Sequence, residues 1–272
     1  MNKLILIVLD GLNAESAFRH LGFMEHLVEQ EKASCYEVKS QLPTMSRPLY
    51  EVIQTGVPVA VHGIYHNGIS RRSKEVSLFQ LVKECGGKTA AAAYHWVYDL
   101  YIGKEKNPEL KRFALENEGL IDQGVFYWSD YYPDEHLYAD GHFLIEKYNP
   151  DYILIHPMMI DTLGHDFGSG SREYMNQTVK ADVLLANYLP LWKEKGYDII
   201  VTADHGMNSG GQHSGSDGSE RRVPLYIYSD RVEAGDYRDT VIDQLEVAPL
   251  CCRMLGIEKA GKMIDSIIKV KE

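Results

Sequence analysis

Five short apolar or β-branched runs punctuate the chain, at residues 4–9, 88–94, 152–156, 199–202 and 225–228, each followed by a polar turn and then a helix-like stretch. Runs of this length without polar alternation suit strands buried on both faces. Their alternation with helical segments predicts a three-layer α/β/α sandwich around a mostly parallel central sheet. Residues 1–272 read as one such domain, because no repeat, low-complexity tract or Pro/Gly/Ser-rich linker divides them. The stretch 100–142 departs from the pattern. It is polar and rich in aromatics (Tyr127, Trp128, Tyr131, Tyr132, Tyr138) with no clear strand alternation, and is expected to form a wall or lid inserted over the site.

Residues able to do chemistry fall just past the ends of these runs. Asp10 follows the first, Asp161 the third after a short loop, and Asp204-His205 the fourth. In open α/β sheets, ligands bind in the crevice beyond the carboxyl ends of the strands. Carboxylates and imidazoles occupy four separate loops: Leu-Asp10-Gly, Asp161-Thr-Leu-Gly-His165, Ala-Asp204-His205-Gly and Gln-His213-Ser. Such mixed ligation suits divalent metals, zinc first, with manganese or iron as alternatives. Asp161 and His165 stand four apart, on one face of a helical turn. Asp204 and His205 would point to opposite faces of a strand, so they can act together only if the chain turns at Gly206. Singly, each has a plainer reading. An Asp after a strand commonly caps a helix, and an Asp-x-x-x-His pair also fits an i,i+4 ion pair. The joint occurrence of all four loops is what points to metal, and the remaining histidines take the plainer reading.

Composition narrows the function classes. At 272 residues, with 44% hydrophobic and 25% charged residues, the chain can build a sizeable core. A net charge of -11 argues against gripping a nucleic-acid backbone, and bound divalent cations would offset part of it locally. The apolar run at 4–9 is too short for a signal core and lacks a small-residue cleavage site. No run approaches the roughly 18 apolar residues that span a bilayer. The four cysteines include no Cys-x-x-Cys pair, and Cys251 and Cys252 are neighbours, so neither a disulfide framework nor a thiolate zinc site is indicated. A cytoplasmic protein with reduced thiols and no membrane partner is expected.

The ordered motifs resemble the alkaline phosphatase superfamily, and within it the nucleotide pyrophosphatase/phosphodiesterase and phosphonoacetate hydrolase branch. The resemblance runs through Ile-Val-Leu-Asp10-Gly, Leu-Pro43-Thr-Met-Ser46-Arg-Pro48, Gln-Thr55-Gly56 and His62-Gly-Ile-Tyr-His-Asn67. It continues through Asp161-Thr-Leu-Gly-His165-Asp-Phe-Gly168, Thr-Ala-Asp204-His205-Gly-Met and His213, and ends at Val247-Ala-Pro249 with Leu255-Gly-Ile257. It implies an alkaline phosphatase-like fold with two divalent ions, zinc foremost. One would be held by Asp161, His165 and His213, the other by Asp10, Asp204, His205 and the nucleophile oxygen. In that branch the nucleophile is usually a Thr two residues before a Pro, a position held here by Ser46. Thr44 carries a hydroxyl in the same loop and is its rival; the offsets to Pro48 and to Thr55-Gly56 favour Ser46. Asn67 matches a position whose amide donates to a non-bridging phosphoryl oxygen, although a turn residue in His-Asn-Gly reads equally well.

What the resemblance implies is hydrolysis of a small phosphorylated substrate through a covalent phospho-Ser46 intermediate, with a phosphodiester or nucleotide pyrophosphate foremost. Phosphonates remain open, as do phosphomonoesters, for which Arg47, Arg71 or Arg72 could serve as a clamp. The aromatic segment 127–138 could stack a nucleobase or pack in the core. Tyr50 stands where a sulfatase needs Arg, and the span from Ser46 to Asp161 is too short for the second domain of a phosphoglycerate mutase. A non-catalytic, metal-bound binding protein is disfavoured because every expected ligand position is filled.

Overall fold

The computed structural model describes residues 1–103, 107–116 and 119–271. Among them nine strands form a single sheet: β1 (Lys3–Val8), β2 (Ala33–Lys39), β3 (Thr89–Tyr94), β4 (Phe113–Ala114), β5 (Gln123–Tyr127), β6 (Tyr152–Ile155), β7 (Tyr197–Thr202), β8 (Arg222–Tyr228) and β9 (Gly235–Asp243). Their order is β4-β5-β3-β6-β1-β7-β8-β2-β9. The central five, from β5 to β7, are parallel to one another. Antiparallel pairings occur at β4/β5, β7/β8 and β8/β2, so the sheet is mixed, with a parallel centre.

The sequence explains that centre. Residues 4–8 of β1 and all of β3, β6 and β7 are buried, as continuous apolar runs between two helical layers should be. Two sets of helices form the layers. Ala14–His20, Gly22–Glu29, Asp134–Tyr148 and Arg172–Glu194 pack on one another over one face; Ser46–Thr55, Leu78–Glu84, His95–Tyr101 and Val247–Leu255 do so over the other. The fold is the α/β sandwich expected from the alternation.

Within the stretch 100–142, whose sequence shows no clear strand alternation, the described residues form strands all the same. The stretch contains β4, β5 and the start of the helix Asp134–Tyr148, with β5 in parallel register with β3. The burial of Tyr127 and Tyr138 assigns them to the core. Tyr132 lies half-buried, stacked on Tyr127 at 5.0 Å. Trp128 and Tyr131 are exposed.

This strand order has one consequence for chemistry. β5, β3, β6, β1 and β7 are neighbours in one direction, so residues at or just past their carboxyl ends stand in a row: Asp130, Tyr94, His156, Asp10 and Asp204.

Candidate metal centre and active site

Asp10 leaves β1 in a turn that Gly11 makes feasible. Gly11 has φ +74°, and a Cβ there would stand 2.7 Å from the Asp161 Cα. Its N–H donates to Asp204 Oδ1 at 3.4 Å. The β1 turn, the Asp161 helix and the β7 loop therefore meet with nothing between them. Asp161 and His165 lie one turn apart on the helix Met159–Phe167, with 3.5 Å between His165 Nε2 and Asp161 Oδ2. Asp204 and His205 lie past the end of β7, off the strand. The chain there packs so closely that a Cβ on Gly206 would stand 2.1 Å from the Ser219 carbonyl.

The three expected histidine ligands share one arrangement. Nδ1 of His165 faces the Gly211 carbonyl at 2.9 Å, that of His205 the Gly206 carbonyl at 3.0 Å, and that of His213 the Thr44 carbonyl at 2.6 Å. A carbonyl only accepts, so each Nδ1 carries the hydrogen and each Nε2 presents a lone pair. Those lone pairs converge. His165 and His213 Nε2 lie 3.1 Å apart, and His205 Nε2 lies 3.4 Å from Asp10 Oδ1 and 3.3 Å from Asp204 Oδ2. His213 Nε2 is 3.7 Å from Asp161 Oδ1. Asp10 Oδ1, Asp161 Oδ1 and Asp204 Oδ2 are buried with no hydrogen-bond partner. Acceptors facing acceptors in a buried cluster form a set that bound cations would satisfy.

Two tight ligand sets result: Asp10, Asp204 and His205, and Asp161, His205 and His213. His205 sits at their junction, while His165 joins through its contacts with Asp161 and His213. Electrostatics agree with a cation-binding cluster. Burial, then the Asp10 charge, raises the Asp161 and Asp204 carboxyls well above their ordinary range. Burial also raises Asp10, but its hydrogen bond from His156, with further help from the neighbouring histidines and the Tyr50 hydroxyl, outweighs that and leaves it low. Burial lowers His205, and burial with the neighbouring His205 lowers His213 to about 3, which keeps both imidazoles neutral as ligation requires. Carboxylates, neutral imidazoles and orphaned oxygens together fit two divalent ions of the zinc class.

Sequence reading missed the groups that aim Asp10. Tyr50 O–H donates to Asp10 Oδ2 at 2.5 Å, and His156 Nε2 lies 2.9 Å from the same oxygen. Both donors occupy Oδ2, which leaves Oδ1 facing the ligand cluster. Tyr127 in turn donates to the His156 carbonyl at 2.7 Å. Burial, then the Asp10 charge, pushes the Tyr50 hydroxyl well above its ordinary value, so it remains a donor. The one available signal was the position of His156 at the end of an apolar run, aligned with Asp10 and Asp204.

Ser46 opens the helix Ser46–Thr55, and its Oγ lies 3.1 Å from His205 Nε2 at the edge of the cluster. Its rival Thr44 is turned away. The Thr44 hydroxyl donates to the Gly215 carbonyl and accepts from Ser214 N–H, while its own carbonyl holds His213. Asn67 Oδ1 accepts from Arg47 N–H at 3.0 Å, which fixes the amide beside Ser46 and leaves its NH2 for another acceptor.

Ser46 and Asn67 line a pocket of about 240 Å³ together with Asp161, His165 and His213. Its far wall is Tyr94, Trp96, Met158, Asp130, Tyr131 and Asp166. No arginine or lysine among the described residues lines it. Arg47 is buried, donates to the Ile69 carbonyl, pairs with Asp99 at 3.4 Å and stacks on Trp96. Arg71 is bonded to the carbonyls of His62 and Arg72, and Arg72 lines a separate surface hollow. None of the three is placed as a clamp for a phosphomonoester.

A family model described as type I phosphodiesterase / nucleotide pyrophosphatase matches residues 4–217. Among curated proteins, the chain is 21% identical over 307 aligned residues to GPI ethanolamine phosphate transferase 2 of Schizosaccharomyces pombe, covering 99% of this chain and 39% of that protein. It is 24% identical over 300 residues to GPI ethanolamine phosphate transferase 1 of Homo sapiens, covering 94% and 31%. The chain thus spans less than two fifths of the length of either relative. Among solved structures, murine ectonucleotide pyrophosphatase / phosphodiesterase 5 superposes with a TM-score of 0.74 at 12% identity, covering 95% of this chain and 96% of that one. An inactive variant of the same murine protein in complex with AMP gives a TM-score of 0.75 at 12% identity, covering 96% of each. At that identity the structures speak for the fold alone.

Proposed function

The chain belongs to the type I phosphodiesterase / nucleotide pyrophosphatase family, and we propose that it is a two-metal phosphodiesterase working through a covalent phospho-Ser46 intermediate. The observation that supports this most is Ser46 Oγ, set at a helix N-terminus 3.1 Å from a histidine of the ligand cluster and opening into a pocket that no arginine or lysine lines among the described residues.

Asp10, Asp204, His205 and the Ser46 oxygen would hold one divalent ion, and Asp161, His165 and His213 the other, with zinc ahead of manganese or iron on donor type. Bound there, the ions lower the pKa of the nucleophilic hydroxyl and neutralise charge developing on the phosphoryl and leaving oxygens. Ser46 Oγ forms a bond to phosphorus as the bond to the leaving alcohol breaks. Water then attacks the phosphoserine, returning the hydroxyl of Ser46 and releasing a phosphomonoester. The substrate phosphate faces the positive end of the Ser46 helix. Asn67, oriented by Arg47 N–H, donates its NH2 to a non-bridging oxygen.

A neutral amide with no arginine clamp matches the single charge of a diester better than the double charge of a monoester. The test is hydrolysis of bis-p-nitrophenyl phosphate against p-nitrophenyl phosphate by metal-stripped protein reconstituted with zinc or manganese. A diester preference of about a hundredfold in kcat/KM, or some 2.7 kcal/mol, is expected. Monoester preference would overturn the assignment.

Transfer to an alcohol in place of water is a second reading, favoured by the curated relatives, which are named as ethanolamine phosphate transferases. Added acceptor alcohol would then appear as a phosphodiester product instead of a released monoester.

A further inference from the structure

We propose that Asp99 is a positioning residue for the reaction: through Arg47 and Ser70 it holds the segment that carries Asn67, and so sets where the Asn67 amide meets the phosphoryl group. The inference rests on the phosphodiesterase reading above and adds to it a residue that lies outside the pocket.

Asn67 lies between the helices Val59–His62 and Leu78–Glu84, in a stretch, residues 63–77, that forms neither helix nor strand. Its own backbone bonds are local. Ile69 N–H donates to the His66 carbonyl and Ser70 N–H to the Gly68 carbonyl, both at 3.1 Å, so the turn closes on itself. Attachment to the body of the protein comes from elsewhere. Arg47 N–H donates to Asn67 Oδ1 at 3.0 Å, Arg47 Nη1 donates to the Ile69 carbonyl at 3.2 Å, and Ser70 Oγ donates to Asp99 Oδ2 at 3.0 Å. Among the described residues, every hydrogen bond that ties residues 66–70 to another part of the chain thus ends on Arg47 or Asp99.

Those two residues form one unit. Arg47 Nη2 stands 3.4 Å from the same Asp99 Oδ2 that Ser70 reaches, and both side chains are buried. Asp99 and Trp96 are three residues apart on the helix His95–Tyr101, hence on one face of it, so the carboxylate pairs with the guanidinium while the indole stacks on it at 4.6 Å. A buried guanidinium is stable only with its counter-charge in place. Asp99 therefore fixes Arg47, and Arg47, the residue after Ser46, grips Ile69 with its side chain and Asn67 with its backbone. Nucleophile and amide are set in register through one residue. A donor to a non-bridging oxygen is effective only when it is held to within about 0.5 Å of its working position. Asp99 belongs to neither tight ligand set, so its loss should leave the metals bound.

The test is a double-mutant cycle on the metal-loaded chain, with bis-p-nitrophenyl phosphate as substrate and metal content determined on every protein. Asn67→Ala should lower kcat by about a hundredfold, the scale of losing one transition-state donor. Asp99→Ala should lower it by about tenfold through misplacement of that donor, with KM little changed and metal retained. In the Asn67→Ala background the Asp99 substitution should cost nothing further, because no amide is left to position. A merely structural role would lower kcat by the same factor in both backgrounds. Asp99→Asn keeps an acceptor for Ser70 and Arg47 and should fall between Asp99→Ala and wild type; it carries the same cycle if Asp99→Ala does not fold. Equal factors in the two backgrounds, metal lost from the Asp99 variants, or wild-type kcat in a folded Asp99 or Asn67 variant overturns the inference and leaves the phosphodiesterase reading intact. If the wild type turns over no diester, that reading fails, and amide hydrogen exchange decides the inference alone. Faster exchange at Ile69 and Ser70 in the Asp99 variant, with protection kept across the helix Ser46–Thr55, supports it. Unchanged exchange, or protection lost across that helix as well, overturns it.

Discussion

Asp10 divides its two carboxylate oxygens between different tasks. Oδ2 is held by Tyr50 and His156, and Oδ1 is left without a partner beside His205. The hydrogen-bonding pair fixes the rotamer and so pre-orients a ligand, as groups behind metal ligands generally do. Tyr50→Phe and His156→Gln should each weaken metal affinity by about 10- to 100-fold. Competition with a chromophoric chelator measures this directly, with circular dichroism to show that the fold is kept. Unchanged affinity would contradict the assignment. At this scale the clustering of Asp10, Asp161 and Asp204-His205 was legible in the sequence because they recur at one place in successive α/β units. His156 was not, because a single histidine ending a strand looks the same whether it supports a ligand or only packs. The offset to Pro48 already favours Ser46 over Thr44, and the Thr44 hydroxyl, bonded to Gly215 and Ser214, is turned to another task.

Among the elements, the strands legible in the sequence were those buried on both faces, β1, β3, β6 and β7, together with part of β8. The others lack that signature for identifiable reasons. β2 mixes Ser34, Tyr36 and Glu37 into its run, and β5 begins with Gln123-Gly124 amid aromatic residues. β9 lies at the sheet edge with only Ile242 buried, and carries Asp236, Arg238 and Asp239, the charged pattern of an edge strand. What holds the site together is the tight turn after β1. At Gly11 the left-handed φ and the closeness of the Asp161 backbone both exclude a side chain. Gly11→Ala should cost at least about 2 kcal/mol, combining left-handed strain with steric overlap. Urea denaturation would show this as a lower midpoint with an unchanged slope. A wild-type midpoint would mean that the turn has room that the geometry denies it.

For the molecule as a whole, the sheet order converts scattered sequence signals into one site. Asp130, Tyr94, His156, Asp10 and Asp204 are far apart in the chain, and only the arrangement of β5, β3, β6, β1 and β7 makes them neighbours. The gathering of carboxylates and histidines could be read from motifs. The pocket's far wall could not, because its residues come from separate loops with no fixed spacing. The same helical layers also bury acids away from the ligand cluster. Glu51, on the Ser46 helix, accepts from Ser73 and Tyr101, and burial raises its carboxyl to about 7. Burial likewise raises Asp134 to about 7 against its hydrogen bond from Gln177. A carboxyl with a raised folded-state pKa binds its proton more tightly in the folded protein. The stability tied to that proton is fully present below the ordinary pKa of about 4.5 and is lost as pH rises through about 7. Glu51→Gln should therefore gain on the wild type as pH rises from 5 to about 8, by up to about 3 kcal/mol at the upper end. Denaturation midpoints of the two metal-loaded proteins across that range measure it. A difference independent of pH would show that Glu51 does not titrate there.

The central claim, that Ser46 is the nucleophile of a two-metal centre, is tested most directly by comparing wild type and Ser46→Ala for bis-p-nitrophenyl phosphate turnover while metal content is determined on the same samples. The expected result is loss of turnover by about a thousandfold or more, on the scale of removing a catalytic nucleophile, with bound metal retained. Turnover that survives in a metal-loaded Ser46→Ala protein would contradict it.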